Sequence, residues 1–169
     1  MQVYRGIAAL SDFRKKKLLA RLQAIDSTIS GVDAEYIHVA DTAHQLSTEE
    51  DSRLARLMTY GSPFDGKSEG ALYLVVPRVG TISPWSSKAT DIVHNSGLTA
   101  VNRVERGVAY YISGGSKRSD EIVALLHDRM TETVLDDVEA AKVLFEVAEA
   151  SELQTVDISA GKSALVKAN

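Results

Sequence analysis

The sequence predicts an α+β fold in which one β-α-β-α unit is written twice. Three observations carry that reading. Strand-like apolar runs alternate with helical patterns, and a serine stands before each of the four clearest helices. The alternation restarts at Ala71 after Ser62–Gly70, a Gly/Pro/Ser/Asp-rich stretch that reads as a linker. The two halves superpose at an offset of 72 residues: Val3 falls on Val75, Ser11 on Ser83, Phe13 on Trp85, Lys16 on Lys88, Val32 on Val104, Ser47 on Ser119, Leu54 on Leu126 and Met58 on Met130. The matches are few, but their order runs strand, capped helix, strand, capped helix.

Each element has its own signal. Residues 2–5 are a short extended start. Ser11 opens a helix with Asp12 in its first turn, and Leu18, Leu19, Leu22 and Ile25 recur at helical spacing. Residues 28–40 are extended, with Ile29, Val32, Tyr36, Ile37 and Val39. Ser47, followed three residues later by Glu50, is the capping-box pattern, so a second helix runs through Leu54, Leu57 and Met58 and stops at Gly61. Ala71–Val76 is an apolar run that reads as a buried strand, ended by Pro77. Ser83–Pro84 opens a third helix, because proline at a first helical position gives up only an N–H that would be unpaired anyway. That helix ends near Gly97. Residues 100–112 are extended, Gly114–Lys117 read as a flexible turn, and Ser119 caps a fourth helix through Ile122, Val123, Leu126 and Met130.

The stretches 28–40 and 100–112 are each long enough for a two-strand hairpin. That would make each half, about 1–61 and 71–133, a split β-α-β, ferredoxin-like unit. A tandem pair of such units would bury its open faces by packing the two sheets together, with the helices outside. The paired units form an expected domain over 1–135. Beyond it, 136–150 read as an acidic helix and 151–159 as a connector. The helical pattern from Gly161 to Asn169 stops without a C-cap glycine. A longer parent chain is expected, with 136–169 as a helix and the start of a truncated further domain.

The 169 residues are 44% hydrophobic and 25% charged, close to the soluble globular average and long enough for a core without metals or disulfides. There is no cysteine, which excludes a disulfide scaffold, a cysteine nucleophile, a thiolate zinc site and an iron–sulfur cluster in these residues. Net charge is −4, from 19 basic and 23 acidic residues. A basic field that would attract nucleic acid is missing, so no nucleic-acid partner is expected. The charge is uneven: residues 1–25 are basic (Arg5, Arg14, Lys15, Lys16, Lys17, Arg21) and 26–66 are acidic. This fits docking surfaces or ordinary solvated helix faces. No apolar run approaches the roughly 20 residues of a membrane span, and Met1–Arg5 lacks a signal-peptide core. The chain is expected to be soluble and cytoplasmic, with no membrane partner.

Most candidate chemistry fails on spacing. Gly161-Lys162-Ser163 imitates the end of a P-loop, but the glycine needed five residues earlier is Val156. His38, His44, His94 and His127 include no i,i+4 pair, and Asp91 with His94 reads better as a surface contact than as a ligand set. Arg106–Tyr111 lacks two aromatics of the RNA-binding run it partly imitates. One segment is unusual. Residues 77–94, PRVGTISPWSSKATDIVH, hold the only tryptophan, two of the three prolines and a cluster of hydroxyls. It reads either as a pre-shaped surface of donors at a helix N-terminus or as an elaborate cap with Trp85 packed in the core.

PRVGTISPWSSKATDIVHNSGL followed by VNRVERGVAYYI closely resembles the N-terminal, PurS-like domain of large-type phosphoribosylformylglycinamidine synthase, also called FGAM synthase or FGAR amidotransferase. LSDFRKKKLLARLQ, AEYIHVAD and LHDRMTETV fit the same family, so the resemblance covers residues 1–135. VDISAGKSALVKAN resembles the start of the family's linker domain. The resemblance implies a fold like a PurS dimer fused in tandem. It implies a parent ligase that uses ATP, magnesium and glutamine to convert FGAR to FGAM in purine biosynthesis, with its catalytic residues outside this chain. It further implies a non-catalytic assembly domain, without a cofactor or metal of its own. Such a domain packs against the synthetase and glutaminase domains and supports ammonia transfer. Arg78, Gly80, Thr81, Ser83, Pro84, Trp85, Ser86, Ser87, Lys88 and Asp91 stand at the family motif and are the expected interdomain docking or ammonia-path residues. The alternative is a small-molecule-binding regulatory module of paired units.

Overall fold

The computed structural model describes residues 1–115, 119–146 and 155–168. In chain order the elements are β1 (Gln2–Ala8), α1 (Asp12–Ile25), β2 (Ile29–Thr42), α2 (Thr48–Met58), β3 (Ala71–Pro77), α3 (Pro84–Asn95), β4 (Val101–Gly114), α4 (Asp120–Leu126) and β5 (Glu132–Leu135). A 3-10 segment at Glu139–Phe145, a 3-10 turn at Ile158–Ala160 and α5 (Lys162–Ala168) follow.

The first four helices begin alike. Ser11, Ser47, Ser83 and Ser119 are the N-caps, 36 residues apart, and each hydroxyl accepts the N–H three residues on, at 3.0–3.4 Å. Ser47 and Glu50 form the full reciprocal capping box. The offset of 72 also holds for the elements. Asp12 and Pro84 start α1 and α3, Ile29 and Val101 start β2 and β4, and Thr48 and Asp120 start α2 and α4.

The fold class is α+β, and the strands form a single five-stranded antiparallel sheet in the order β1-β2-β4-β3-β5. This replaces the expected pair of sheets packed face to face. The stretches expected to fold into hairpins are single 14-residue strands. Residues 34–40 and their partners 104–110 hold no proline and only Gly107, so nothing there turns the chain. The two long strands instead pair with each other edge to edge, from Ile29 opposite Gly114 to Thr42 opposite Val101.

Period-2 alternation divides the sheet's side chains. Val32, Ala40, Val104 and Ile112 point to the face that carries α1 to α4. There Leu54 and Met58 of α2 and Val93 of α3 enclose Ala40, Val101 and Val104, while Leu22 of α1 and Ile122 and Leu126 of α4 enclose Ile29, Val32, Tyr73, Val75 and Ile112. Ile37, Val39, Leu74, Val76, Ala109 and Tyr111 point the other way and are covered by Ala141 and Leu144 of the 3-10 segment. Core packing therefore continues past residue 135. The Arg103 side chain fastens the cover by donating to the Leu144 carbonyl and lying 5.0 Å from the Phe145 ring centroid.

Other expectations shift. The fourth helix ends at Leu126 and leaves Met130 73% exposed. Residues 131–135, unmarked in the sequence, supply β5 on the outer edge of β3. The acidic helix expected at 136–150 is a 3-10 segment over Glu139–Phe145, and its last four residues, 147–150, like 151–154 of the connector and the second half of the Gly114–Lys117 turn, lie outside the described residues. Val3 corresponds to Leu72, not Val75, because Val3 lies opposite Val39 and Leu72 opposite Val39's counterpart, Tyr111. The cause is a longer connection. Residues 9–11 join β1 to α1, while 78–83 join β3 to α3.

Candidate functional site

The extra length of that connection falls within the unusual motif. Arg78 donates its backbone N–H to the Thr131 carbonyl at 2.9 Å, and its own carbonyl accepts from the Thr81 N–H (3.1 Å) and hydroxyl (2.6 Å). Gly80 completes the tight turn at φ +81°, a left-handed conformation that strains other L-residues. The turn delivers Ser83 to the N-terminus of α3, with Pro84 in the first turn.

Ser83 joins two groups. Its oxygen accepts the Ser86 N–H at 3.0 Å, while its hydroxyl and backbone N–H donate to Glu105 at 2.8 and 3.3 Å. Glu105 is fully buried, so these donors, with the Arg103 guanidinium 3.9 Å away, offset the cost of removing a carboxylate from water. The start of α3 is thus occupied by the protein's own anion. Of the hydroxyl cluster, Ser83 is an interior fastening, while Thr81 and Ser87 are exposed.

Trp85 lies one position on and is half-buried. Its ring sits 5.5 Å from the ring of His38, and the Arg106 guanidinium lies 4.9 Å from it. Arg106 also lies 4.3 Å from the Tyr36 ring, so the cation is held between two aromatic faces. Arg106 donates to the Tyr60 hydroxyl at 3.1 Å, and that hydroxyl lies 2.8 Å from His38 Nε2. His38 is fully buried, and among the described residues its Nδ1 has no hydrogen-bond partner of good geometry. Burial, and then the Arg106 charge, push the His38 pKa down to about 4, against an upward pull from the Tyr4 backbone. Tyr60 accepts from Arg106, and in the tautomer of neutral His38 that carries its proton on Nδ1, Tyr60 donates to Nε2.

These groups border a cleft of about 360 Å³ lined by Tyr36, Pro77, Ser83, Pro84, Arg106 and Glu132, among others. A second cavity, of about 420 Å³, lies at Arg5, Glu35, Thr59 and Phe64. In it Glu35, 1% exposed, accepts from Arg5 Nε at 3.1 Å and from the Tyr111 hydroxyl at 2.7 Å.

The structure gathers the predicted residues only in part. Ser83 and Pro84 line the 360 Å³ cleft, and Trp85 stacks on the arginine within it. Arg78, Gly80 and Thr81 form the turn leading there. Ser86 is buried, its hydroxyl without a hydrogen-bond partner among the described residues. Lys88 borders a separate apolar groove between α2 and α3, with Trp85, Leu57 and Ile92. Ser87 and Asp91 are exposed on α3. Sequence reasoning missed Glu105, Arg106, Tyr36, His38 and the Arg5–Glu35 pair. The available signal was charge at interior positions of apolar strands, as in Val104-Glu105-Arg106-Gly107-Val108.

The remaining candidates have structural roles or surface positions. His94 Nε2 meets the Val101 carbonyl at 2.6 Å and His127 Nδ1 the Val123 carbonyl at 2.5 Å. His44 is exposed. Among the described residues no three His, Cys, Asp or Glu come together as a metal could require, and no helix is long and apolar enough to cross a membrane. Gly161 follows a 3-10 turn instead of a strand. The Gly161 turn is therefore not built as a P-loop.

Fold and motif together define an α+β domain whose unusual sequence run builds a loop–helix junction around a stacked arginine. The family model of the formylglycinamide ribonucleotide amidotransferase N-terminal domain matches residues 35–145, well over half of the chain. The chain belongs to this family: it is the N-terminal domain of a formylglycinamide ribonucleotide amidotransferase, a glutamine amidotransferase ligase of purine biosynthesis.

Proposed function

We propose that this chain is a non-catalytic assembly domain of phosphoribosylformylglycinamidine synthase. It packs, in the cytoplasm, against the synthetase and glutaminase domains of the same parent chain and supports ammonia transfer between them. ATP and magnesium act in the parent's other domains. The observation that carries this reading is how the motif uses its groups. Its central polar residue, Ser83, is fastened inward to Glu105, while Val79, Ile82 and Met130 beside it are 38%, 60% and 73% exposed. Apolar side chains held out on a braced loop suit contact with another protein surface. Ammonia in transit must be kept from water, and a domain that seals such a contact serves that need.

Two measurements test the reading. Residues 1–169 alone, given FGAR, ATP and glutamine, form no amidine and release no glutamate; turnover above a mutant control refutes the proposal. In the full enzyme, Trp85→Ala or Lys88→Glu lowers glutamine-dependent FGAM formation more than glutaminase activity. Equal loss of both would point to general misfolding.

A second reading, a small-molecule regulatory module, is favoured by the cleft of about 360 Å³, a volume suited to a small metabolite. Stabilisation by about 1 kcal/mol or more with one purine intermediate and not with others would select it.

A further inference from the structure

The two cavities are counterparts across the centre of the sheet. At the offset of 72, Glu35 of the first corresponds to Gly107 of the second, and Thr59 to Thr131. Their charges differ. In the first cavity the Arg5 guanidinium meets the Glu35 carboxylate and Tyr111 adds a donor. In the second, Arg106 has no carboxylate within 4 Å among the described residues. Glu132 lines the same cleft, but its carboxylate accepts the Asp128 N–H at 2.8 Å. Position 107 cannot supply the missing acid either. A Cβ there would lie 2.8 Å from the Val75 carbonyl oxygen and 2.9 Å from Val76 Cγ1. Glycine is the residue that fits where β3 and β4 approach, so among the described residues Arg106 is left without a carboxylate partner.

We propose that the cleft receives an Asp or Glu side chain carried on an apolar loop of another domain of the parent enzyme, paired with Arg106. The inference deepens the assembly reading and rests on it. Tyr36 and Trp85 hold the guanidinium in place before the partner arrives, and among the described residues its one side-chain hydrogen bond, to Tyr60, leaves N–H groups for a carboxylate. The exposed rim of Val79, Ile82 and Met130 decides between sources. A free small anion would leave those side chains in water, whereas a loop covers rim and cation together. Arg78, exposed on the turn that leads to the cleft, adds positive charge in an otherwise acidic chain.

The test replaces Ile82 with photoreactive p-benzoylphenylalanine in the full-length enzyme and maps the cross-link by mass spectrometry. The expected attachment lies outside residues 1–169, within a few positions of an Asp or Glu. Attachment to another domain with no carboxylate nearby overturns this inference and leaves the assembly reading standing; attachment confined to residues 1–169 overturns both. Arg106 is unaltered in that experiment, so its outcome does not depend on a variant folding. In the second arm, Arg106→Glu lowers glutamine-dependent turnover about tenfold or more, and changing the mapped carboxylate to Lys restores most of it. Undiminished turnover, or loss without rescue by that exchange, counts against the pairing.

Discussion

Tyr36 lies directly opposite Val108 in the central ladder, and Val108 is its own counterpart at the offset of 72. The register is therefore unchanged when the halves are exchanged: Val32 opposite Ile112 becomes Val104 opposite Ala40, which is also a pair. A local two-fold passes between Tyr36 and Val108, and the halves meet as the two copies of a symmetric dimer do.

That join should survive without the peptide link. Ser62–Gly70 is the exposed connection, and a tryptic cut at Lys67 falls inside it. The two fragments are expected to co-elute in size-exclusion chromatography and to separate only in denaturant. Separation in native buffer would show that the β2–β4 ladder and the packing around it are too weak to hold the halves.

Two serine caps should differ in cost. Ser47→Ala removes an exposed cap and is expected to lower stability by about 1 kcal/mol. Ser83→Ala removes a cap and also one donor to fully buried Glu105, so about 2–3 kcal/mol is expected. Paired urea titrations check the order; equal costs would show that water or Arg103 replaces the lost donor.

His38 makes stability fall in acid. Its pKa is depressed in the folded protein, to about 4, from about 6.5 in an unfolded chain. The unfolded state thus takes up the proton first as pH drops. The contribution is complete above pH 6.5 and is lost as pH falls from there through 4, up to about 3 kcal/mol in all. His38→Gln should flatten this part of a stability-against-pH curve measured by denaturant melts. An unchanged slope would mean that water reaches the imidazole.

The Glu35 network should behave as a unit. Glu35→Ala leaves Arg5 and the Tyr111 hydroxyl without their shared acceptor and is expected to cost about 2–4 kcal/mol, less than a wholly buried pair because Arg5 can turn to water. Tyr111→Phe should cost about 1–2 kcal/mol. A double-mutant cycle is expected to give a coupling above about 0.5 kcal/mol; strict additivity would separate the two contacts. Burial and the bond to Glu35 also push the Tyr111 phenol up to about 12, so Glu35→Gln should lower its ionisation midpoint in an ultraviolet titration.

Local signals were legible in the sequence and the closure of the sheet was not. Ser11, Ser47, Ser83 and Ser119 mark helix starts because capping is decided within four residues. The linkage of β2 to β4 is a long-range choice. An extended run such as Ile29–Thr42 looks the same whether it folds back on itself or continues, and only the absence of a turn residue near Tyr36 hints at the answer. β5 escaped notice because Glu132–Leu135 holds only two apolar residues and gains its conformation from the edge of β3. At the site, the motif gave Ser83 and Trp85. Their partners Glu105, Arg106 and His38 lie on strands remote in sequence, where a lone charge among valines carries no address.

The unequal connections, 9–11 and 78–83, join matching strands to matching helices, so the frame tolerates either length. What the protein displays at that corner is thereby separable from what keeps it folded. Transplanting Arg78–Ser83 between Ala8 and Asp12, in place of 9–11, would give the first half a projecting apolar loop of its own. The sheet would become a two-headed scaffold, with one corner made by nature and one by graft, each adjustable without retuning the other.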